Sequence, residues 1–66
     1  MQISYNKLWK LLIDKNMNKS ALRQQTGMSS STMAKLSKNQ EVNLSVLMRI
    51  CEHLDCGIED VVEFVK

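Results

Sequence analysis

Proline is absent from the chain, and glycine occurs only at Gly27 and Gly57. Two glycines thirty residues apart form no glycine-rich phosphate loop, and no biased stretch marks a linker between domains. Residues with high β propensity never alternate with polar ones over a useful length, whereas apolar residues recur at helical spacing. The sequence therefore predicts one all-α domain over residues 1–66.

The chain is also poor in the groups that catalysis needs. At 66 residues it is too short for a deep cleft with a supporting scaffold. His53 is the sole histidine, which excludes a Ser-His-Asp set, and on a helix its side chain points away from that of Cys51. We therefore expect no enzymatic activity, no metal site and no other cofactor.

Cysteine and long apolar runs are scarce. Cys51 and Cys56 are too few for the disulfide framework of a small secreted domain, so we expect reduced thiols in a cytoplasmic protein. No apolar run approaches the ~20 residues that span a membrane. Lys7 and Lys10 interrupt the N-terminal apolar stretch, which lacks a signal-peptide cleavage site. We expect no membrane partner.

The formal net charge is only +2, but it is unevenly distributed. Residues 1–49 carry eight basic and two acidic side chains, a net +6, and residues 50–66 carry one basic and five acidic side chains, a net −4. A basic body with an acidic end indicates one face that meets an anion and another that is turned away from it. Solvated surface charge that happens to segregate is the alternative explanation.

The apolar periodicity predicts five short helices that converge on one core. Ser4 is expected to cap helix one, on whose apolar stripe Trp9 lies, and Asn43 to cap helix four. Ile58, Val61, Val62 and Val65 give the spacing of helix five. Phe64 lies off that stripe, either completing the core or forming an exposed apolar anchor. The predicted core consists of Leu8, Leu12, Leu22, Met28, Met33, Leu36, Leu47, Ile50, Leu54, Ile58 and Val61.

Residues 18–36 carry the functional signal. Asn18 and Ser29 are expected to cap helices two and three, and Gly27 to end helix two in the left-handed conformation. Helix three, about residues 30–37, has two apolar anchors and otherwise small or polar side chains. A helix that enters a DNA major groove needs this pattern, because bulk on its leading face would keep its backbone away from the base edges.

Two stretches of the chain resemble a known family: NKSALRQQTGMSSSTMAKLSKN and NLSVLMRICEHLDCGIEDVV. They are similar to the Cro- and lambda-repressor-like helix-turn-helix transcriptional regulators, also called XRE-type, over roughly Tyr5 to Phe64. The chain looks like the small regulators of this family that consist of the DNA-binding domain alone. The resemblance implies a compact five-helix fold and sequence-specific binding of double-stranded DNA, with the recognition helix, about residues 30–37, in the major groove.

The resemblance also implies roles for individual residues. Lys19 falls where the family contacts phosphate. Arg23 departs from the usual Ala, and we interpret it as a further phosphate contact. Thr26 stands where an aliphatic residue is usual. Because the recognition face lacks Arg, Gln and Asn, specificity is expected from Lys35, Asn39 and DNA shape. The residues expected to contact bases or phosphates are Lys19, Arg23, Ser29, Ser30, Ser31, Thr32, Lys35, Lys38, Asn39 and Asn43.

A monomer of this size touches too little DNA for high specificity, so a homodimer on a two-fold operator is expected. Helix five, with Val61, Phe64 and Val65, is the predicted dimer surface. No small-molecule effector is expected, because the chain has no room for a separate effector domain. The competing hypothesis is a small helical protein-interaction module, an adaptor or antitoxin-like partner on the same fold. The weak base-reading capacity of Ser30, Ser31 and Thr32 favours it.

Overall fold

The computed structural model describes residues 1–66 as four α-helices, one 3-10 helix and a two-stranded antiparallel sheet. The predicted helical fold is confirmed, but the number of α-helices is four rather than five. No helix is both long and apolar enough to cross a membrane. In chain order the elements are β1 (Gln2–Ser4), α1 (Asn6–Asp14), α2 (Lys19–Thr26), α3 (Ser30–Ser37), α4 (Leu44–Leu54), the 3-10 helix (Ile58–Asp60) and β2 (Glu63–Val65).

The prediction of a fifth α-helix is wrong. After Gly57 the chain makes one 3-10 turn and then becomes extended, with Phe64 opposite Ile3 in the antiparallel pair of β1 and β2. The valines of this segment suit a strand as well as a helix, because β-branched side chains fit the pleated surface. The deciding interaction is with the distant N-terminal residues, which a local periodicity cannot reveal.

The start of α1 also differs from the prediction. Ser4 ends β1 and is buried, and Tyr5 takes the N-cap position of α1 in its place. The Ser4 hydroxyl accepts a hydrogen bond from the backbone N–H of Asn6 at 3.3 Å. Ser4 therefore still satisfies a donor at the beginning of the helix, although it does so from the end of a strand.

One hydrophobic core gathers side chains from all four helices and from the segment after α4. The prediction missed Tyr5, whose side chain is only 1% exposed, and it wrongly included Ile58, which is 45% exposed. Met33 and Trp9 are half-buried against this core. The buried apolar residues are Tyr5, Leu8, Leu12, Leu22, Met28, Leu36, Leu47, Ile50, Leu54 and Val61.

Candidate nucleic-acid interface

The α2–turn–α3 unit has the caps that the sequence predicts. The Asn18 Oδ1 accepts from the backbone N–H of Ala21 at 2.8 Å, and the Ser29 hydroxyl accepts from that of Thr32 at 3.2 Å. Gly27 follows α2 with φ 71°, and its N–H donates to the Arg23 carbonyl at 3.0 Å. A left-handed residue lets the chain turn sharply, so only three residues separate the end of α2 from the start of α3.

Thr26 shows how the chain accommodates a polar residue at an inner position of α2. Its side chain is buried, and its hydroxyl donates to the Leu22 carbonyl at 2.8 Å. The hydroxyl donor is therefore satisfied within α2 and needs no partner from another element. Arg23 is half-buried on the last turn of α2, beside the turn rather than on α3.

The outer face of α3 is small and hydroxylic. Leu36 anchors the helix in the core, whereas Ser30, Ser31 and Lys35 are exposed. The Ser29 hydroxyl lies 3.0 Å from those of both Ser31 and Thr32, so three hydroxyls gather at the helix N-terminus. Free backbone N–H groups and the helix dipole favour an anion at such an end.

A groove of about 250 Å³ separates α3 from the start of α4. Thr32 and Lys35 line it on one side, and Asn43 lines it on the other. Asn43 holds the N-cap position of α4, but its side chain makes no capping hydrogen bond. Its amide is therefore free to bind a ligand. Glu41 brings one negative charge to the same groove.

Lys19 lies where α1, α2 and α3 meet. Its ammonium is 4.3 Å from the centre of the Trp9 ring and donates to the Ser37 hydroxyl at 3.3 Å. The cation–π contact holds an exposed ammonium near the end of α3. The sequence predicted a charge at the start of α2, but it gave no signal for this support from the aromatic ring.

The loop between α3 and α4 is fastened to the start of α1. Asn39 has φ 56°, and its Oδ1 accepts from the backbone N–H of Tyr5 at 3.1 Å. The Tyr5 hydroxyl donates to the Gln40 carbonyl at 2.8 Å. Lys38 is exposed at the C-cap of α3, next to this connection. Sequence reasoning placed Tyr5 on a helix stripe and missed the connection, because its partners are 34 and 35 residues away.

The three residues predicted to form a dimer surface do not lie on one face. Val61 is fully buried in the core, so its assignment to an exposed surface is corrected. Phe64 is 67% exposed and Val65 is 36% exposed, both on β2. Phe64 therefore does not complete the core, and of the two alternatives the exposed apolar anchor remains.

The cysteines face a partly apolar environment near the end of α4. Burial raises the pKa of the Cys56 thiol to about 11, and the neighbouring Cys51 thiol adds to the shift. A thiol with a raised pKa is a weak nucleophile at neutral pH. Nowhere in the chain do three or more His, Cys, Asp or Glu side chains lie close enough together to hold a metal ion.

The caps, the left-handed turn and the exposed face of α3 define a helix-turn-helix domain. The sequence profile of the Cro/C1-type HTH DNA-binding domain matches residues 7–66, and the chain belongs to this family. The chain is also similar to the crystal structure of the transcriptional regulator VanUg, form II. That similarity has a TM-score of 0.93 and 56% sequence identity, and it covers 94% of this chain and 83% of that one. No curated protein matches the sequence.

Proposed function

We propose that the protein is a transcriptional regulator that binds double-stranded DNA at a specific sequence, with α3 in the major groove. The observation that carries this proposal is the exposed face of α3, where Ser30, Ser31 and Lys35 stand above an inner side anchored by Leu36. Small side chains let the helix backbone approach the bases, and hydroxyl and ammonium groups can donate to base edges. The similarity to VanUg supports a role in regulating transcription.

Phosphate contacts on both sides of α3 complete the proposed interface. Lys19, held over Trp9, flanks the recognition helix, and Asn43 has an unused amide across the groove. Lys38 is exposed at the C-cap of α3, where it is proposed to meet the next stretch of DNA backbone. Such contacts fix the register of the helix without reading sequence. The remaining expected contacts are Arg23, Ser29, Thr32 and Asn39.

The regulator is proposed to bind a two-fold operator as a homodimer. Phe64 stays in the candidate surface, and Ile58, which shares a groove of about 240 Å³ with Phe64, replaces Val61. Val65 is the next residue of β2 and points to the opposite face of the sheet, so it remains a candidate only beside this groove. Exposed apolar side chains that share one groove are a common mark of protein contacts. Glu59 borders the same groove, and an acidic border suits a side that faces away from phosphate. We further propose that the protein acts in the cytoplasm.

Selection of bound sequences from a random pool of duplex DNA tests the proposal. Enrichment of one motif, with an affinity that falls steeply as salt increases, is the expected result. The double variant Lys19→Ala with Lys35→Ala should weaken binding, whereas Phe64→Asp should weaken pairing of the two copies. Binding without enrichment would favour the competing hypothesis, a protein-interaction module on the same fold.

A further inference from the structure

Asn39 stands at a junction between the start of α1 and the surface proposed to meet DNA. Its backbone is in the left-handed region with φ 56°, a conformation that Asn and Asp adopt more readily than most residues. Its side chain reaches Tyr5, 34 residues earlier, with Oδ1 at 3.1 Å from the backbone nitrogen. That N–H is one of the donors that a helix N-terminus leaves without a partner in the helix.

The chemistry of this contact fixes which way the amide of Asn39 points. A backbone N–H only donates, so the atom facing the Tyr5 nitrogen is the amide oxygen. The Nδ2 group then points away from α1, and it has no partner among the hydrogen bonds of the chain. An exposed amide that has its oxygen engaged offers two N–H donors and binds an acceptor.

Tyr5 holds the next residue of the loop as well. Its hydroxyl donates to the Gln40 carbonyl at 2.8 Å, and its side chain is only 1% exposed. Burial, with the nearby charge of Glu41 adding to it, raises the pKa of the Tyr5 phenol. The phenol therefore remains a donor at neutral pH. Two hydrogen bonds from one buried residue thus fasten the backbone around Asn39 to the core.

We propose that the Asn39 Nδ2 group donates to a phosphate oxygen of bound DNA and that Tyr5 is the positioning residue that orients it. The inference rests on the proposed function and adds the mechanism by which the N-cap residue of α1 orients a phosphate contact made by the neighbouring loop. Phosphate is the fitting acceptor because Lys38, one residue earlier, is exposed at the same C-cap. A phosphate contact reads no base, so Asn39 strengthens binding to all sequences alike, in contrast to the expectation from the sequence that it adds specificity.

Asn39→Asp separates the two functions of the side chain. A carboxylate still accepts from the Tyr5 N–H, tolerates the left-handed backbone and adds a favourable negative charge at the start of α1. It also replaces the donor that faces phosphate with an anion. We expect a melting temperature equal to or above that of the wild type and a DNA affinity that is lower by about tenfold or more.

Gln40→Glu is the matched control, because it makes the same amide-to-carboxylate change at the adjacent exposed residue, whose side chain takes no part in the contact. It should weaken DNA binding by about threefold or less, through net charge alone. Equal losses for Asn39→Asp and Gln40→Glu would overturn the inference, while the proposed function would stand. Failure of the wild type itself to bind DNA with salt-dependent affinity would overturn both.

Tyr5→Phe tests positioning, since it removes the hydroxyl and leaves the buried ring. The expected result is a several-fold loss of DNA affinity at a temperature where both proteins are fully folded. The side-chain amide protons of Asn39, followed by NMR, should shift when DNA is added to the wild type and shift less in Tyr5→Phe. Amide signals that do not respond to DNA in the wild type would contradict a phosphate contact. An unchanged affinity for Tyr5→Phe would contradict positioning.

Discussion

The ammonium of Lys19 lies 4.3 Å from the centre of the Trp9 ring, which joins the start of α2 to α1. The ring holds the charge in one place, and the hydrogen bond to Ser37 directs it toward the end of α3. An ammonium held in this way remains charged and can still contact phosphate. It loses less conformational freedom on binding than an unrestrained lysine does. Trp9 thus serves both as packing against the core and as support for a proposed DNA contact.

Lys19→Ala should weaken DNA binding without changing which sequence is preferred. Loss of one phosphate contact should reduce the slope of log affinity against log salt by about one. Loss of the cation–π contact should lower the free energy of unfolding by about 0.5–1 kcal/mol. Lys10→Ala is the control, because Lys10 lies in a different groove, bordered by Asp14 and Asp60. An equal change of slope in both variants would argue against a specific contact by Lys19.

Gly27→Ala should destabilise the protein through its backbone alone. A Cβ at this position meets no atom within 4 Å, so no clash contributes, but φ is +71°. A left-handed alanine costs about 1–2 kcal/mol, and Gly27→Asn should cost less because Asn tolerates this conformation. Urea unfolding of the three proteins measures the difference. If Gly27→Asn lowered the free energy of unfolding as much as Gly27→Ala, an interaction other than the left-handed backbone would govern this turn.

Val61 and Phe64 should respond to substitution in opposite ways. Val61→Ala creates a cavity at a fully buried position and should lower the free energy of unfolding by about 2 kcal/mol. Phe64→Asp changes a side chain that is 67% exposed, so it should leave folding largely intact and shift the chain toward monomer. Urea unfolding and sedimentation equilibrium measure the two effects. A Phe64→Asp protein that still forms dimers would exclude Phe64 from the interface.

The Cys56 thiol should react slowly with iodoacetamide in the folded protein. Its pKa is raised from 9.0 to about 11, mainly by burial, which lowers its thiolate fraction at pH 8 by roughly 100-fold. Because the neutral thiol is favoured in the folded state, stability should decline as the pH rises from about 9 toward 11. The single-thiol variant Cys51→Ala, alkylated with and without urea, isolates the contribution of burial to the raised pKa of Cys56, because it removes the Cys51 thiol that adds to the shift. Equal alkylation rates in the folded protein and in urea would contradict a raised pKa for Cys56.

Local chemistry made several features predictable. Asn18, Ser29 and Gly27 act within one helical turn of their own position, so their caps and left-handed turn could be read directly from the sequence. The apolar spacing of α1 and α4 likewise identified most of the core, including Leu8 and Leu54. Helix spacing and cap chemistry are short-range properties, and they need no knowledge of the remaining chain.

Distant pairings account for what the sequence did not reveal. The antiparallel pair of β1 and β2 places Ile3 opposite Phe64. Because of this pairing, the segment predicted as the last helix forms a 3-10 turn and a strand. Tyr5 became a core residue and an anchor for the loop at Asn39 because α1 and that loop meet in space. Such contacts depend on how elements pack, which periodicity within one element does not encode.

The scarcity of proline and glycine predicted the helical architecture but not the contacts between distant parts of the chain. Without proline, and with Gly27 as a left-handed turn, the sequence by itself determined a helical domain and an α2–turn–α3 unit with a small, hydroxylic outer face. Only the tertiary structure decided the partners of Lys19 and Asn39, which are Trp9 on α1 and the N-cap residue Tyr5. The difference arises because caps are satisfied within a few residues, whereas the partners of these side chains are brought close only by packing of the whole chain.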